Sequence, residues 1–453
     1  MKDEAKKKQQ ATRAMNRRAF LQRGAAMAAT AVAFPYVVPA RALGLDGNVA
    51  PSNRIVMGCI GVGSQGTSNL EGFLPNKELQ FVAVCDVERK HRLRARAMIN
   101  STYDTKDCTE YNDFRELLAR TDLDGVAIAV PDHWHSIPAI AAANRKLDIF
   151  AEKPLALTIG EGRAMREAVH RNNIVWQTGS WQRSQDHFRK GCELVRSGRI
   201  GTVHTVRVGL PTGKAIAPQP VMAVPEGFDY DMWLGPAPWA PYTEKRCHWD
   251  FRWILDYSGG QLTDWAAHHC DIANWGMGVE ETGPVEVEPV SFNFPREGIW
   301  NAATEYHFTC KYPAGVSPVS PDGFTMHVGN ASPASGFKMG ALFEGTEGWV
   351  YIDRSGLWTS PDDLVKSEIG ENDVRLYKST NHARNFIDCV YSREKTITPI
   401  DVAQRAISIA HLGNAAMQLN RKLHWDPVNE VYINDEQANR KLLRAMRGEW
   451  RLG

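Results

Sequence analysis

The strongest constraint on the fold is a short strand that runs directly into a glycine-rich turn. Residues 54–60, Arg-Ile-Val-Met-Gly-Cys-Ile, are an apolar run with β-branched side chains, the pattern of a strand buried on both faces. Gly61-Val62-Gly63-Ser64-Gln65-Gly66 follows at once, and residues 67–73 continue as a predicted helix. A GxGxxG motif carries weight only in this setting, with a strand before it and a helix after it. There Gly61 permits the tight turn, Gly63 lets the backbone approach a pyrophosphate, and Gly66 lets the helix pack closely on the strand at its positive end. Gly61, Gly63, Ser64, Gln65 and Gly66 are accordingly assigned to a dinucleotide. A second strand, residues 80–85, ends at Asp86, twenty residues beyond Gly66. A carboxylate there accepts hydrogen bonds from the adenosine ribose and repels a 2′-phosphate, which points to NAD; Arg89 and Lys90 nearby leave NADP open.

Alternation then continues, with helices over 88–100, 113–120 and 137–145 and strands over 124–130, 147–151 and 174–178. This spacing predicts a doubly wound parallel (Rossmann) sheet. From Gly201 the pattern changes to strands at 202–208, 285–292, 305–309, 324–328 and 338–343, which predicts an open, mostly antiparallel sheet. The expected fold class is α/β plus α+β, with an NAD-binding domain at 43–178. A substrate-binding and oligomerisation domain follows at 179–453 and ends in closing helices. Residues 211–241, rich in Pro and aromatics, are expected to shape a pocket wall.

Ligands of doubly wound sheets sit beyond the carboxyl ends of the strands. Two chemically rich stretches fall there: Pro131-Asp132-His133-Trp134-His135 and Glu152-Lys153-Pro154. In the second half, residues 259–275 read as a helix on which Asp264 and His268, four positions apart, share a face, while His269 points about 100° away. A carboxylate that orients an imidazole makes a general base near neutral pH. Taken as a lone pair, the two are more often a structural contact. His133 and His135 with His268 or His269 offer a zinc-type alternative, but no spacing is diagnostic and no metal is assigned.

In these residues the chain resembles the Gfo/Idh/MocA (glucose–fructose oxidoreductase, inositol dehydrogenase) superfamily over nearly all of its length after residue 42. The marks are the GxGxxG, the proline-started loop with His135, Glu152-Lys153-Pro154, and Asp264-x-x-x-His268-x-x-Asp271 after Gly259-Gly260. Segments 382–388 and 403–423 resemble the closing helices. The resemblance implies that Lys153 lies at the nicotinamide and substrate, and that Lys153, Asp264 and His268 are catalytic. Pro131, His135, Glu152 and Arg183 then position cofactor or substrate, and His382 is at most a substrate contact. The implied activity is that of an NAD(P)-dependent oxidoreductase acting on a CH–OH carbon of a sugar, polyol or glycoside, in a homo-oligomer built through the broad face of the second sheet. The alternative is an NAD-dependent, redox-neutral glycosidase that oxidises, eliminates, hydrates and reduces; the family's glycosidases depart from Glu-Lys-Pro, which this chain keeps. A catalytically silent cofactor-binding protein ranks lower because Lys153, Asp264 and His268 are all present.

Charge divides the chain. Its 53 Lys plus Arg against 52 Asp plus Glu give a formal +1, which excludes a polybasic nucleic-acid binder. Residues 1–42 hold nine of the basic and two of the acidic residues, so 44 basic and 50 acidic remain, a formal −6 that suits a neutral sugar better than an acidic polymer. That first segment runs from a basic start through Asn16-Arg17-Arg18-Ala19-Phe20-Leu21-Gln22 and an Ala-rich apolar stretch, 24–38, to Ala40-Arg41-Ala42. This is the layout of an export signal, and the paired arginines resemble a twin-arginine (Tat) signal. The expectation is export of the folded protein to the periplasm by the Tat machinery. The mature form should hold no stable membrane span, because the apolar stretch is short and contains Pro35. An exported enzyme of this kind has to retain and regenerate its cofactor. Eight cysteines without a CxxC read as reduced thiols, two of them inside strands.

Overall fold

The strand that enters the glycine turn, β1 (Ile55–Ile60), lies in the middle of its sheet. The computed structural model describes residues 49–332 and 336–452, and the expected export signal at 1–42 falls outside them. After β1 come α1 (Ser64–Phe73), β2 (Leu79–Cys85), α2 (Arg89–Tyr103), β3 (Thr109–Tyr111), α3 (Phe114–Leu118), β4 (Gly125–Ile128), α4 (Ser136–Asn144), β5 (Asp148–Ala151), α5 (Ile159–Asn172) and β6 (Trp176–Thr178). The strands pair in the order β3-β2-β1-β4-β5-β6, all parallel. Every residue of β4, β5 and β6 is buried, as a sheet covered by helices on both faces requires. Strand order reverses between β1 and β4, which opens a crevice at their carboxyl ends. The first helix begins at Ser64, three residues earlier than the sequence suggests, so the glycine turn forms its N-terminus. The short, partly exposed β3 has no apolar run to announce it.

The second half continues with α6 (Asp186–Arg196), β7 (Val203–Leu210), α7 (Tyr230–Leu234), α8 (Gly260–Met277) and strands β8 (Glu286–Asn293), β9 (Glu305–Tyr312), β10 (Phe324–Asn330), β11 (Gly340–Gly345), β12 (Gly348–Asp353) and β13 (Gly356–Ser360). It closes with α9 (His382–Ser392), α10 (Ile400–Leu419), β14 (Leu423–Asp426), β15 (Val431–Tyr432) and α11 (Glu436–Asn439). Nine strands pair as β13-β12-β11-β7-β10-β9-β8-β14-β15, antiparallel throughout except between β7 and β10. Alternation in β9 turns Tyr306, Phe308, Cys310 and Tyr312 inward, and α6, α8 and α10 cover that face. All eight cysteines are buried and unpaired. No described helix is long and apolar enough to cross a membrane.

The chain crosses back over the expected division at Thr178. Helix α9 packs on the first sheet, where Phe386 meets the rings of Phe73 and Phe150, each at 6.0 Å between centroids. Thr178 donates its N–H to the Thr398 carbonyl at 2.9 Å, and the Thr398 hydroxyl donates to the Thr178 carbonyl at 2.6 Å. Residues more than two hundred positions away therefore complete the core of the dinucleotide domain. We expect Phe386→Ala to destabilise that domain by about 3–5 kcal/mol, the cost of removing a buried aromatic ring. Urea unfolding followed by a probe within the first sheet measures this, and an unchanged midpoint would show that α9 is dispensable there.

Candidate active site

At the crevice between β1 and β4 lies a cleft of about 490 Å³. Its floor is the glycine turn. Gly61 has φ +83°, and a Cβ there would stand 2.5 Å from the Ala129 carbonyl oxygen; a Cβ on Gly66 would stand 2.0 Å from the Gly61 carbonyl oxygen. These two glycines hold turn, helix and strand in contact. Gly63 differs, because a Cβ there would meet only the His91 ring, at 3.8 Å. The open side of the turn is thus the one a pyrophosphate needs, at the start of α1. Gly61, Gly63, Ser64 and Gln65 line the cleft, and Gly66 serves packing from behind it. The Asp86 carboxylate lies at the rim and accepts the N–H groups of Val62 (2.8 Å) and Glu88 (2.9 Å). Pro131, Glu152 and Lys153 line the cleft from the ends of β4 and β5. This arrangement fits a dinucleotide bound with its ribose toward Asp86.

Glu152 acts as a brace. It is buried, accepts the amides of Asn69 (3.0 Å) and Gln65 (3.2 Å), and presses on Gly179. Lys153, next in the chain and followed by a cis Lys153–Pro154 peptide, reaches across to α8, and its ammonium donates to Asp264 Oδ1 at 2.5 Å. Arg252 Nε stands 3.5 Å from the other oxygen of Asp264. Burial alone would raise the Asp264 pKa, but Lys153 and Arg252 more than offset it and hold this carboxyl below its usual range. Helix α8 is buried nearly all round, and only Gln261, Asp264 and Trp265 escape full burial. That small opening faces Lys153.

His268 stands one turn further along α8, buried behind the residues that line the cleft and not itself among them, with its Nδ1 bonded to no described residue. Burial, followed by the charges of Lys153 and Arg354 and by His269, pushes its pKa well below 6.5. The imidazole is therefore neutral at pH 7, the form a base requires. The expected orientation of His268 by Asp264 is not found. Their spacing does set a common face, but a carboxylate flanked by an ammonium and a guanidinium turns to the charges rather than to a neutral ring.

Four further expectations are corrected. Arg183 does not touch the cleft: it is buried, with Nε and a terminal nitrogen on Asp271 (2.7 and 2.9 Å) and the other nitrogen on Glu280 (2.8 Å). Three of its five N–H donors are spent on these buried carboxylates, and Asp271 is its counter-charge. His135 also lies outside the cleft lining, with its nitrogens 2.7 Å from the Val130 carbonyl and 3.3 Å from the Leu155 carbonyl. It ties together the loops that follow β4 and β5. His133 points Nε2 at the Trp233 carbonyl (2.9 Å), and among the described residues the histidines of the zinc-type alternative do not gather into a ligand set. His382 is buried between Ser184 and the Thr178 carbonyl, 2.9 Å from each, and is structural.

Sequence reasoning missed two arginines. Arg252 follows an aromatic cluster, lies over Trp249 at 4.1 Å and lines the cleft beside Asp264. Its signal was available in Trp249-Asp250-Phe251-Arg252-Trp253, just beyond the expected wall segment. Arg354, in the β12–β13 turn, sits over Trp265 at 4.5 Å; with the Gln182 amide turned to suit both neighbours, Arg354 Nε donates to its oxygen (3.2 Å) and its nitrogen donates to the His268 carbonyl (3.1 Å). Nothing local marks it. The wall itself is as expected, with Phe228, Met232 and Trp233 lining the cleft from the 211–241 stretch.

The chain is also similar to known proteins. Residues 55–180 match the Gfo/Idh/MocA description "Oxidoreductase family, NAD-binding Rossmann fold", and residues 212–452 match its "Oxidoreductase family, C-terminal alpha/beta domain". The myo-inositol 2-dehydrogenase of Thermotoga maritima is 28% identical over 226 residues, 49% of this chain and 55% of that protein. A glycosyl hydrolase family 109 protein of a Shewanella species is 36% identical over 119 residues, 25% of this chain and 26% of that protein. This chain thus spans little more than half the length of the first relative and about a quarter of the second. The crystal structure of aldose–aldose oxidoreductase from Caulobacter crescentus, complexed with glycerol, shares the fold with a TM-score of 0.59 at 17% identity, covering 82% of this chain and 99% of that one. On these matches and this architecture, the chain belongs to the Gfo/Idh/MocA oxidoreductase family, and its first folded domain is an NAD-binding Rossmann domain.

Proposed function

We propose that this oxidoreductase acts on a carbinol carbon of a sugar, polyol or glycoside, with NAD retained in the cleft. The observation that carries the reading is the Lys153 ammonium, fixed by Asp264 at the mouth of the cleft, with a neutral imidazole one helical turn away. When bound, NAD supplies a hydride acceptor at the nicotinamide. His268 takes the hydroxyl proton, and Lys153 stabilises the alkoxide that develops as the proton leaves. Asp264, flanked on its other oxygen by Arg252, holds the ammonium in place. Gly61, Gly63, Ser64 and Gln65 carry the pyrophosphate, and Asp86 takes the ribose. The basic, twin-arginine first segment supports Tat export to the periplasm, where an internally regenerated cofactor is required. The exposed face of the second sheet is the surface for a homo-oligomer.

A second reading, the redox-neutral glycosidase, is favoured by the Shewanella alignment, which covers only a quarter of this chain. Denatured protein should release NAD at about one equivalent per chain, as a cofactor with no external pool demands. Native protein without added cofactor should exchange oxidation between two sugars; aglycone release from aryl glycosides with no net NADH would move the assignment to the glycosidase.

The pH profile tests the base. A histidine whose pKa is pushed well below 6.5 is deprotonated across the neutral range and loses activity only as pH falls through that depressed value. The acid limb of kcat/KM should therefore lie well below pH 6.5. His268→Ala should lower kcat by about 10²–10⁴-fold and abolish that limb while NAD stays bound; an unchanged limb would remove His268 from the role.

A further inference from the structure

The adenosine end of the cleft carries a cluster that hydride transfer does not use. Glu88 and His91, just after β2, meet His248 from the strand-poor segment that closes over the cleft, and their donor atoms all lie within 4.8 Å of one another. His91 Nε2 and His248 Nδ1 stand 3.4 and 3.5 Å from the same oxygen, Glu88 Oε2. Tetrahedral zinc with bonds of about 2.0–2.1 Å separates its ligand atoms by about 3.3 Å, close to both imidazole–carboxylate distances. We propose that Glu88, His91 and His248 form a zinc site that clips the closing segment to the dinucleotide domain.

Two observations support a cation here. Glu88 is buried, and its Oε2 accepts no hydrogen bond from any described residue, while Lys90 pairs with the other oxygen. Asp86 Oδ1 lies 3.4 Å from His91 Nδ1, the carboxylate–imidazole contact that fixes a ligand tautomer and leaves the opposite nitrogen free to bind. Two imidazoles and one carboxylate suit zinc rather than magnesium or calcium. All three side chains line the cleft, so a fourth position stays open toward it for water. The clip lies on an existing seam, where Arg89 N–H donates to the Gly227 carbonyl (2.8 Å) and Asp229 N–H to the Val87 carbonyl (2.9 Å).

The test uses the purified full chain, stripped with chelator, incubated with zinc sulfate and desalted. Metal content should be about one zinc per chain, with a raised melting temperature, as binding to the folded state alone requires. His248→Ala and Glu88→Gln should each lose the metal and the thermal shift. Wild type that holds no more zinc than His248→Ala overturns the site. Cobalt(II) added to stripped wild type reports without any variant, since a tetrahedral d–d spectrum supports the site and a hexaaqua spectrum overturns it. Nucleotide measured in the same samples separates the two readings: NAD without zinc removes the clip alone, and zinc without NAD removes the retained-cofactor reading alone.

Discussion

The contact between Lys153 and Asp264 joins the two halves of the molecule at the point where chemistry is possible. Lys153 follows the fifth strand of the parallel sheet, and Asp264 lies near the start of the buried helix of the second domain. Each charge is partly withdrawn from water and would be costly there alone, so each half of the fold holds an ion that only the other half can compensate. The brace behind Lys153 and the guanidinium behind Asp264 make sense as supports of this joint. Glu152 fixes the loop through two amides of the first helix, and Arg252 caps the far side of the carboxylate. A cofactor site completed in this way depends on the whole chain.

Much of this was legible in the sequence because its signals are local. The glycine turn needs a strand behind it and a helix ahead, and both stand within twenty residues. Glu152-Lys153-Pro154 follows a short apolar strand, which places it at a carboxyl end. What stayed hidden depends on partners far apart in the chain. An arginine two residues after a Ser and Trp reads the same whether it faces a cofactor or a buried carboxylate, and only the folded chain brings Asp271 and Glu280 to Arg183. The return of α9 to the first sheet is likewise invisible, because its apolar face would suit either core. Strands β12 to β15 escaped notice because their pattern is short and broken by turns.

The corrected partner of Asp264 sharpens the chemistry. An aspartate bonded to His268 would favour the imidazolium and leave the lysine without a counter-charge. The observed pairing does the reverse. The carboxylate goes to the ammonium, and the histidine is left among Lys153, Arg354 and apolar surroundings that disfavour its charge. In the proposed reaction, proton acceptor and cation are thus different side chains, separated by one geometric choice. An alcohol that gives up a proton and a hydride from the same carbinol group needs both at once, a neutral base for the proton and a fixed positive charge for the oxygen it leaves behind. A helix that placed a carboxylate on its histidine would supply the base at the expense of the charge.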